Sequence, residues 1–418
     1  MSVTKYSKPE LVVPAGNWSS LGAAIEGGAD SVYFGVKGWS MRQRADNFDP
    51  LEIKKLMKLL HDAGRKGYLA LNVIVFNKEV DRVRKVLKHA ASAGVDAVIL
   101  WDTAVLAMAK EEGLSVHLST QASVSNIEAI RFYASIGVKR IVLARECSLS
   151  DVRDMIKQIK KEKIDCSIET FIHGAMCVSV SGRCFLSQHS FLKSANRGEC
   201  LQPCRREFDI IDTDGDSKYV LGRDYVMSPK DLCTVEILDE LIKSGIHAFK
   251  IEGRIRSSEY VKVVTEVYRE AIDSFFEGKL NDELKSSLKK KLKTVYNRGF
   301  SLGFYEGDPD DWISRELGSE YERVYVGEVL KYYKKIGVAE VFVRSEGVKR
   351  GQEIVIIGKN TPARTVRIEE LEKDHKPVDF GSKGEPVGIK LPFVVKPKDK
   401  VFIRRLRYPD REKDISLD

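Results

Sequence analysis

Residues 10–35, ELVVPAGNWSSLGAAIEGGADSVYFG, contain the pattern that decides the fold. An apolar run, ELVVPA, is followed by a stretch rich in small residues and then by a second apolar run, SVYFG. Short buried strands separated by helices are typical of a parallel sheet that is covered on both faces. The joint EGGAD places glycine where the helix ends, which favours a short connection to the next strand. The stretch therefore predicts a strand–helix–strand unit.

The same pattern recurs through the first 255 residues, which contain eight strand candidates. They are ELVVPAG, DSVYFG, YLALNVIVF, DAVILWD, SVHLSTQAS, KRIVLARE, CSIETFIHG and HAFKIEGR. Eight such strands favour a (β/α)8 barrel over an open doubly wound sheet. An insert at 174–228 separates the last two strands. In such barrels the loops after the strands carry function, so we expect the insert to cover the functional face.

The chain is too long for a single core, which indicates two or three domains. We predict a barrel domain over 1–305 and a linker over 306–320, EGDPDDWISRELGSE. Residues 321–418 change to short strands separated by glycine turns, a pattern typical of a small β-barrel. The predicted fold class is therefore an α/β (β/α)8-type barrel with a cysteine-bearing insert, followed by a small C-terminal β-barrel domain.

The composition is that of a soluble globular protein, with 43% hydrophobic and 31% charged residues. The N-terminal residues MSVTKYSKPE do not form a secretory leader, and the apolar runs are too short for a membrane span. We therefore expect a cytoplasmic protein with no membrane partner, in which thiols stay reduced.

The net charge of +8 is unevenly distributed. Residues 321–418 contain 22 Lys and Arg against 16 Asp and Glu, an excess of +6. A basic module suits a polyanion such as RNA. A solvated basic surface explains the same charge equally well.

Four of the seven cysteines lie within residues 174–207, GAMCVSVSGRCFLSQHSFLKSANRGECLQPCRRE. Their spacing, C-x6-C-x15-C-x3-C, does not match the paired C-x2-C knuckles of zinc ribbons. Grouped thiolates on a long loop favour a 4Fe–4S cluster, with zinc or unliganded thiols as the alternatives. The predicted metal ligands are Cys177, Cys184, Cys200 and Cys204. Cys147, Cys166 and Cys233 are expected in the core, with Cys233 as a reserve ligand.

The residues around these cysteines match a known signature. In ETFIHGAMCVSVSGRCFLS, residues 169–187, a Glu is followed by Phe, by Gly-Ala-aliphatic-Cys and by Gly-x-Cys-x-aliphatic-Ser. The chain also contains MRQRADNF, NRGECLQPCR, SPKDLC and KIEGRIRS. With these motifs the sequence resembles the U32 peptidase (collagenase-like protease) family over essentially its whole length.

The resemblance implies an enzyme of one of several kinds. Family members similar to this chain are implied to hydroxylate a tRNA wobble uridine, a ribosomal cytidine or a quinone without molecular oxygen, using an iron–sulfur cluster. The motifs resemble most the branch that makes 5-hydroxyuridine in tRNA, for which prephenate is implied as oxygen donor. The resemblance leaves open a second family member as a partner.

Two alternatives to hydroxylation remain. The first is a peptidase, as the family name says, although the sequence contains no HExxH helix and no GxSxG elbow. A cysteine nucleophile would need His173 or His189 as its base. The second is a cluster-bearing RNA-binding partner without catalysis. The C-terminal module resembles the second, β-barrel domain of translation elongation factors (VGEVL…GQEIVIIG…KPKDKVFIRR), which agrees with contact to RNA.

Polar residues near the ends of the predicted strands are the remaining site candidates. For substrate binding they are Arg42, Arg44, Asn72, Gln121 and Arg254, and for catalysis His173, Glu169 and Glu252. Arginine forks bind carboxylates, so a dicarboxylate donor would need at least one. Surface ion pairs, satisfied core polar groups and an ion pair that seals the barrel mouth are the competing interpretations.

Overall fold

The fold is seen in a computed structural model of the chain. It describes residues 6–206, 209–211, 218–220, 225–307, 313–314, 319–359 and 361–406, with only the backbone at 209–211, 218–220, 225–226 and 313–314. Much of the predicted linker 306–320 and part of the predicted insert 174–228 therefore lie outside the described residues.

Eight parallel strands close into a barrel, as the sequence predicts. They are β1 Glu10–Ala15, β2 Ser31–Gly35, β3 Lys66–Ala70, β4 Ala97–Leu100, β5 Val116–Leu118, β6 Arg140–Val142, β7 Ser167–Ala175 and, after the insert, β12 Ala248–Ile251. The order is β12-β1-β2-β3-β4-β5-β6-β7, and β12 also pairs with β7 to complete the ring. The predicted (β/α)8 architecture is confirmed.

Helices cover the outside of this ring. They are α1 Trp18–Glu26, α2 Ile53–Asp62, α3 Val80–Ser92, α4 Thr103–Glu111, α5 Ile127–Ser135, α6 Leu149–Glu162, α7 Leu186–Phe191 in the insert, α8 Leu238–Ser244, α9 Ser258–Phe276 and α10 Asp282–Lys293. Alternate strand residues face opposite sides. Leu11 and Val13 therefore join the core beneath the helices, whereas Val12, Tyr33 and Tyr68 pack inside the barrel.

A buried ion-pair network occupies the interior of the barrel. Glu169 is fully buried, with Lys250 Nζ 2.5 Å from its Oε1 and Arg140 Nη1 3.3 Å from its Oε2. Arg140 also donates to Glu10 Oε2 at 2.8 Å. Burial alone would raise the pKa of Glu169, but the charges of Lys250 and Arg140 lower it, so the carboxylate stays ionised.

Removing one member of this network should destabilise the barrel. Lys250→Met would leave the Glu169 charge buried with one partner fewer, and we expect the free energy of unfolding to fall by about 3–5 kcal/mol. Urea denaturation measures the change. The control is Lys139→Met, because the pair of Lys139 with Asp165 is exposed and contributes less than about 1 kcal/mol. Equal decreases of the free energy of unfolding in both variants would contradict a stabilising role for Lys250 in the buried network.

The chain between β7 and β12 contains further strands, and the last of them pairs with the ring. They are β8 Asp209–Ile211, β9 Lys218–Val220, β10 Tyr225–Pro229 and β11 Asp231–Cys233. Of these, β11 runs antiparallel to the end of β7 and also pairs with β13 Phe300–Ser301, and β10 pairs with β14 Ile313–Ser314.

The C-terminal region is a curled antiparallel sheet with its own core, as predicted for a small β-domain. Its strands are β15 Tyr321–Tyr333, β16 Val338–Val343, β18 Glu353–Ile357, β19 Arg364–Arg367, β20 Leu371–Lys373, β21 Lys376–Pro377, β23 Pro386–Lys390 and β24 Lys400–Leu406, and β17 Val348–Lys349 pairs with β22 Phe380–Gly381 beside it. Val341, Ile354 and Ile389 are fully buried within it.

Polar contacts join the two regions. Arg364 forms an ion pair with Glu26 of α1, and Glu259 of α9 lies 3.5 Å from Arg323 and 3.9 Å from Arg404. None of the helices in the described part of the chain has the length and apolar character needed to cross a bilayer.

Candidate functional site at the barrel mouth

A cavity opens at the carboxyl ends of the barrel strands. Its volume is about 1060 Å³, part of it open to solvent. The polar and charged residues that line it include Tyr33, Arg42, Asn72, Gln121, Arg145, Cys177, Lys250, Glu252 and Arg254. We call it the mouth cavity. Of the predicted site residues, the structure brings Arg42, Asn72, Gln121, Cys177, Glu252 and Arg254 together here.

Glu252 is one of two carboxylates that line the mouth cavity, with Glu146. Arg42 Nε lies 3.3 Å from its Oε1, and the Tyr33 hydroxyl donates to its Oε2 at 3.3 Å. Burial would raise the pKa of Glu252, but the charges of Arg42, Arg145 and Arg254 outweigh it and lower the pKa to about 2. Glu252 is therefore an anion at neutral pH.

Gly174 allows Glu252 to occupy this place. The Glu252 amide donates to the His173 carbonyl at 2.8 Å, which draws the end of β12 against β7. A Cβ on Gly174 would lie 2.4 Å from the Glu252 carbonyl oxygen, and the φ of Gly174 is +109°. Only glycine tolerates both conditions.

Two further arginines give the mouth cavity an excess of positive charge. Arg145 donates to the Ala175 carbonyl at 2.6 Å and lies 4.0 Å from the centre of the Phe171 ring. Arg254 donates to Ser40 Oγ at 2.6 Å, and its buried Nε has no partner among the described residues. Arg42, Arg145, Arg254 and Lys250 line the cavity against Glu146 and Glu252, a net charge of +2, so the cavity is suited to an anionic ligand. Arg145, which follows β6 in LARE, was not among the predicted site residues.

Asn72 and Gln121 form a neutral pair on the opposite wall. Asn72 Nδ2 donates to Gln121 Oε1 at 2.7 Å, and Asn72 Oδ1 accepts from the Met41 amide at 3.3 Å. Ser119 Oγ also donates to Gln121 Oε1 at 3.3 Å. Both side chains are thus fixed at the cavity wall, where an amide group can donate to or accept from a ligand.

The cysteine loop, residues 174–206, lies beside the mouth cavity. Cys177 of this loop lines the cavity. Burial raises the pKa of Cys204, which Arg205 opposes, and Cys177, Cys200 and Cys184 lie near enough to raise it further. The backbone amides of Leu186 and Gln202 donate to the sulfurs of Cys184 and Cys200 at 3.3 and 3.4 Å. The four predicted ligands therefore share one region.

Arginines anchor this loop to the barrel. Arg205 donates to Ser228 Oγ at 2.8 Å, to the Pro229 carbonyl at 3.0 Å and also to the carbonyl of Met176, next to Cys177. Arg197 Nη2 lies 2.6 Å from Glu79 Oε1. Arg205 thus joins the two ends of the loop, and Arg197 fixes its middle to the barrel.

The remaining cysteines belong to the core, as predicted. Cys147 and Cys166 are each 6% exposed and Cys233 is 2% exposed. Burial raises the pKa of Cys233 to about 11, and its sulfur accepts from the Tyr268 hydroxyl at 3.9 Å. Among the described neighbours, Cys233 therefore faces α9 rather than the mouth cavity.

Three of the eight residues predicted for catalysis or substrate binding do not line the mouth cavity. Glu169 lies in the buried ion-pair network, and Arg44 is exposed on the loop after β2. His173 lies within β7 rather than after it and packs against Tyr268, Tyr260 and Phe300. Its pKa is lowered to about 3, first by burial and then by Arg256, so it is a neutral core residue at physiological pH. The structure gives neither Glu169 nor His173 a contact with the cavity.

The donor set fits a soft metal or an iron–sulfur centre better than a hard cation. Four sulfur atoms in one loop, two of them accepting backbone amide hydrogen bonds, are typical of the surroundings of thiolate-bound clusters. In the described part of the chain, no three or more His, Cys, Asp or Glu side chains are arranged to hold a metal ion. The 4Fe–4S cluster and its zinc alternative therefore stay predictions.

Together these features define a (β/α)8-barrel protein with a cationic cavity beside a cysteine-rich loop. Residues 16–314 match the model of peptidase family U32. The chain belongs to this family.

Several curated relatives are similar over nearly the whole chain. An uncharacterized protease of Methanocaldococcus jannaschii is 40% identical, covering 94% of this chain and 98% of that protein. A collagenase of Porphyromonas gingivalis is 38% identical, covering 96% and 98%. The tRNA hydroxylation protein P1 of Bacillus subtilis is 36% identical and covers 87% of each chain.

Proposed function

We propose that this protein is a cytoplasmic enzyme that hydroxylates RNA, and that its substrate is the wobble uridine of tRNA, converted to 5-hydroxyuridine without molecular oxygen. The observation that carries the proposal is the joining of two features at one place. Cys177 of the cysteine loop lines the same cavity as Arg42, Arg145 and Arg254. The similarity to a tRNA hydroxylation protein supports RNA as the substrate class.

The arginines would bind the oxygen donor. A dicarboxylate such as prephenate carries two negative charges, and the four cations and two carboxylates that line the cavity leave an excess of two positive charges. Arg42 is already engaged by Glu252, so Arg145 and Arg254 are the groups that would receive the donor's carboxylates. Asn72 and Gln121 would orient the donor or the base from the opposite wall.

Cys177, Cys184, Cys200 and Cys204 would hold the iron–sulfur cluster. When bound, such a cluster supplies one-electron redox chemistry. The chain itself keeps Glu252 ionised, excludes water with Phe171 and Phe304 at the cavity wall, and fixes the cysteine loop through Arg205.

Expression in a host whose own tRNA lacks 5-hydroxyuridine tests the proposal. We expect mass spectrometry of the digested tRNA to detect 5-hydroxyuridine when the wild-type chain is expressed. The matched control is Glu252→Gln, which removes one of the two cavity carboxylates and should lower the product at least about 10-fold. Unmodified tRNA from cells that contain soluble wild-type protein would refute the proposed reaction.

Peptide hydrolysis is the second candidate, because two of the relatives are named as proteases. Cys177 is exposed, as a nucleophile must be. However, no histidine is among the described residues that line the mouth cavity. Gelatin cleavage by the purified protein that is lost in Cys177→Ala but kept in Cys204→Ser would favour the peptidase.

A further inference from the structure

A band of unpaired positive charge runs beside the mouth cavity. A groove of about 1740 Å³ lies between the barrel and the C-terminal sheet, and Lys37, Lys359, Lys398 and Lys400 line it. A neighbouring hollow on the barrel is lined by Lys37, Arg82 and Lys85. Lys37 belongs to both, so the two depressions are continuous. We call these six residues the basic track.

The charges of the track are available to a ligand. All six side chains belong to exposed residues, and none forms an ion pair with another described residue. Acidic side chains also line the two depressions, but the basic residues that line them outnumber the acidic ones by five to three in the groove and by four to one in the hollow. The track therefore keeps its positive charge.

Aromatic rings lie among these cations. Trp18 and Phe402 line the groove and Trp39 lines the hollow, and all three are half-buried. Arg82 lies over the Trp39 ring, 6.0 Å from its centre. Cations that follow a backbone and flat rings on which bases stack are the two components of single-stranded nucleic-acid sites.

One loop forms the wall between the track and the mouth cavity. It connects β2 to α2, places Arg42 in the cavity and places Lys37 on the track. Within the loop, the Asn47 side chain donates a hydrogen bond to the Arg42 carbonyl at 2.9 Å and so stabilises its conformation. Only this loop would separate a nucleic-acid strand bound in the track from the mouth cavity. A single unstacked base of that strand can therefore enter the cavity.

We propose that the basic track binds the backbone of a single-stranded stretch of RNA and delivers one base over the 36–49 loop into the mouth cavity. This inference rests on the proposed function for its choice of RNA. It adds that the barrel and the C-terminal sheet bind the substrate jointly, one on each wall of the groove.

Salt-dependent binding of an unmodified tRNA transcript tests the proposal. In the triple variant Lys359→Gln, Lys398→Gln, Lys400→Gln we expect affinity to fall at least about 10-fold, and the slope of log K against log salt to become shallower by about 2. The matched control neutralises three exposed lysines elsewhere on the same sheet, Lys334, Lys335 and Lys383, and should leave both quantities unchanged. Circular dichroism checks that both triple variants are folded.

Equal losses of tRNA affinity in the two triple variants would refute RNA binding by the basic track. Wild-type affinity in the track variant would refute it as well. Its failure is separable from that of the proposed function. If the wild type binds RNA through the track but hydroxylates none, the reaction is wrong and the track stands. If the wild type hydroxylates RNA and the track variant binds it normally, the reaction stands and the track is wrong.

Discussion

Cys204→Ser is expected to remove most of the iron from anaerobically purified protein and to lower RNA hydroxylation by more than about 100-fold. Loss of a residue that merely supports a metal ligand costs about 10–100-fold, and loss of a ligand should cost more. Serine keeps the size of the side chain but replaces the soft thiolate with a hydroxyl that binds iron poorly. Iron and sulfide analysis, with the visible absorption spectrum, measures the cluster independently of activity.

The matched control is Cys166→Ser. Cys166 lies in the core, where its sulfur contacts the Ser167 carbonyl at 3.7 Å, and a hydroxyl can donate to the same oxygen. We expect its iron content and activity to remain near those of the wild type. Cys233→Ser tests whether Cys233 is a cluster ligand in place of Cys204. If Cys233→Ser protein loses iron while Cys204→Ser protein keeps its iron, Cys233 is the fourth ligand.

Arg145→Leu is expected to raise the KM for the oxygen donor by about 10–100-fold, because a hydrogen bond between charged groups contributes about 1.5–3 kcal/mol. Leucine fills much of the same space against Phe171 but cannot bind a carboxylate. The iron content should not change, since Arg145 donates to the Ala175 carbonyl and Met176 sulfur rather than to a cysteine. Steady-state kinetics with varied donor, at saturating tRNA, measures the effect.

Arg44→Leu is the control for this change, because Arg44 is exposed on the loop after β2 and does not line the mouth cavity. A KM for the donor that is unchanged in Arg145→Leu would contradict the anion site. A fall in kcat alone would assign Arg145 to the chemical step instead of donor binding.

The barrel was predictable because its strands are short apolar runs that end in small or polar residues. The same rule placed Glu252 and Arg254 at the mouth, since they lie one and three residues after the end of a strand. The strands of two or three residues, such as Lys376–Pro377, were not predictable, because their pairing depends on the partner strand rather than on a local apolar pattern.

His173 shows where periodicity fails. Simple alternation from Glu169 and Phe171 would direct His173 into the barrel. However, the register between β7 and β12 shifts between Lys250 and Ile251, where Phe171 and His173 are the successive partners. This irregularity, a β-bulge in β7, turns His173 outward against Tyr260 and Tyr268 of α9.

Arg145 was missed for a different reason. It is one of many arginines, and nothing in the letters LARE separates it from a surface residue. Its position three residues beyond the end of a barrel strand was the available signal, the same one that identified Arg254. The convergence of the four cysteines also depends on contacts distant in sequence, such as that between Arg205 and the Met176 carbonyl.

An anaerobic reaction with a donor labelled with heavy oxygen tests the central claim most directly. Protein with its iron–sulfur cluster intact is mixed with unmodified tRNA and labelled prephenate, and the nucleosides are analysed by mass spectrometry. We predict that uridine gains one labelled oxygen with the wild-type protein and none with Cys204→Ser. Unmodified tRNA, with cluster-loaded protein that binds both substrates, would contradict the account.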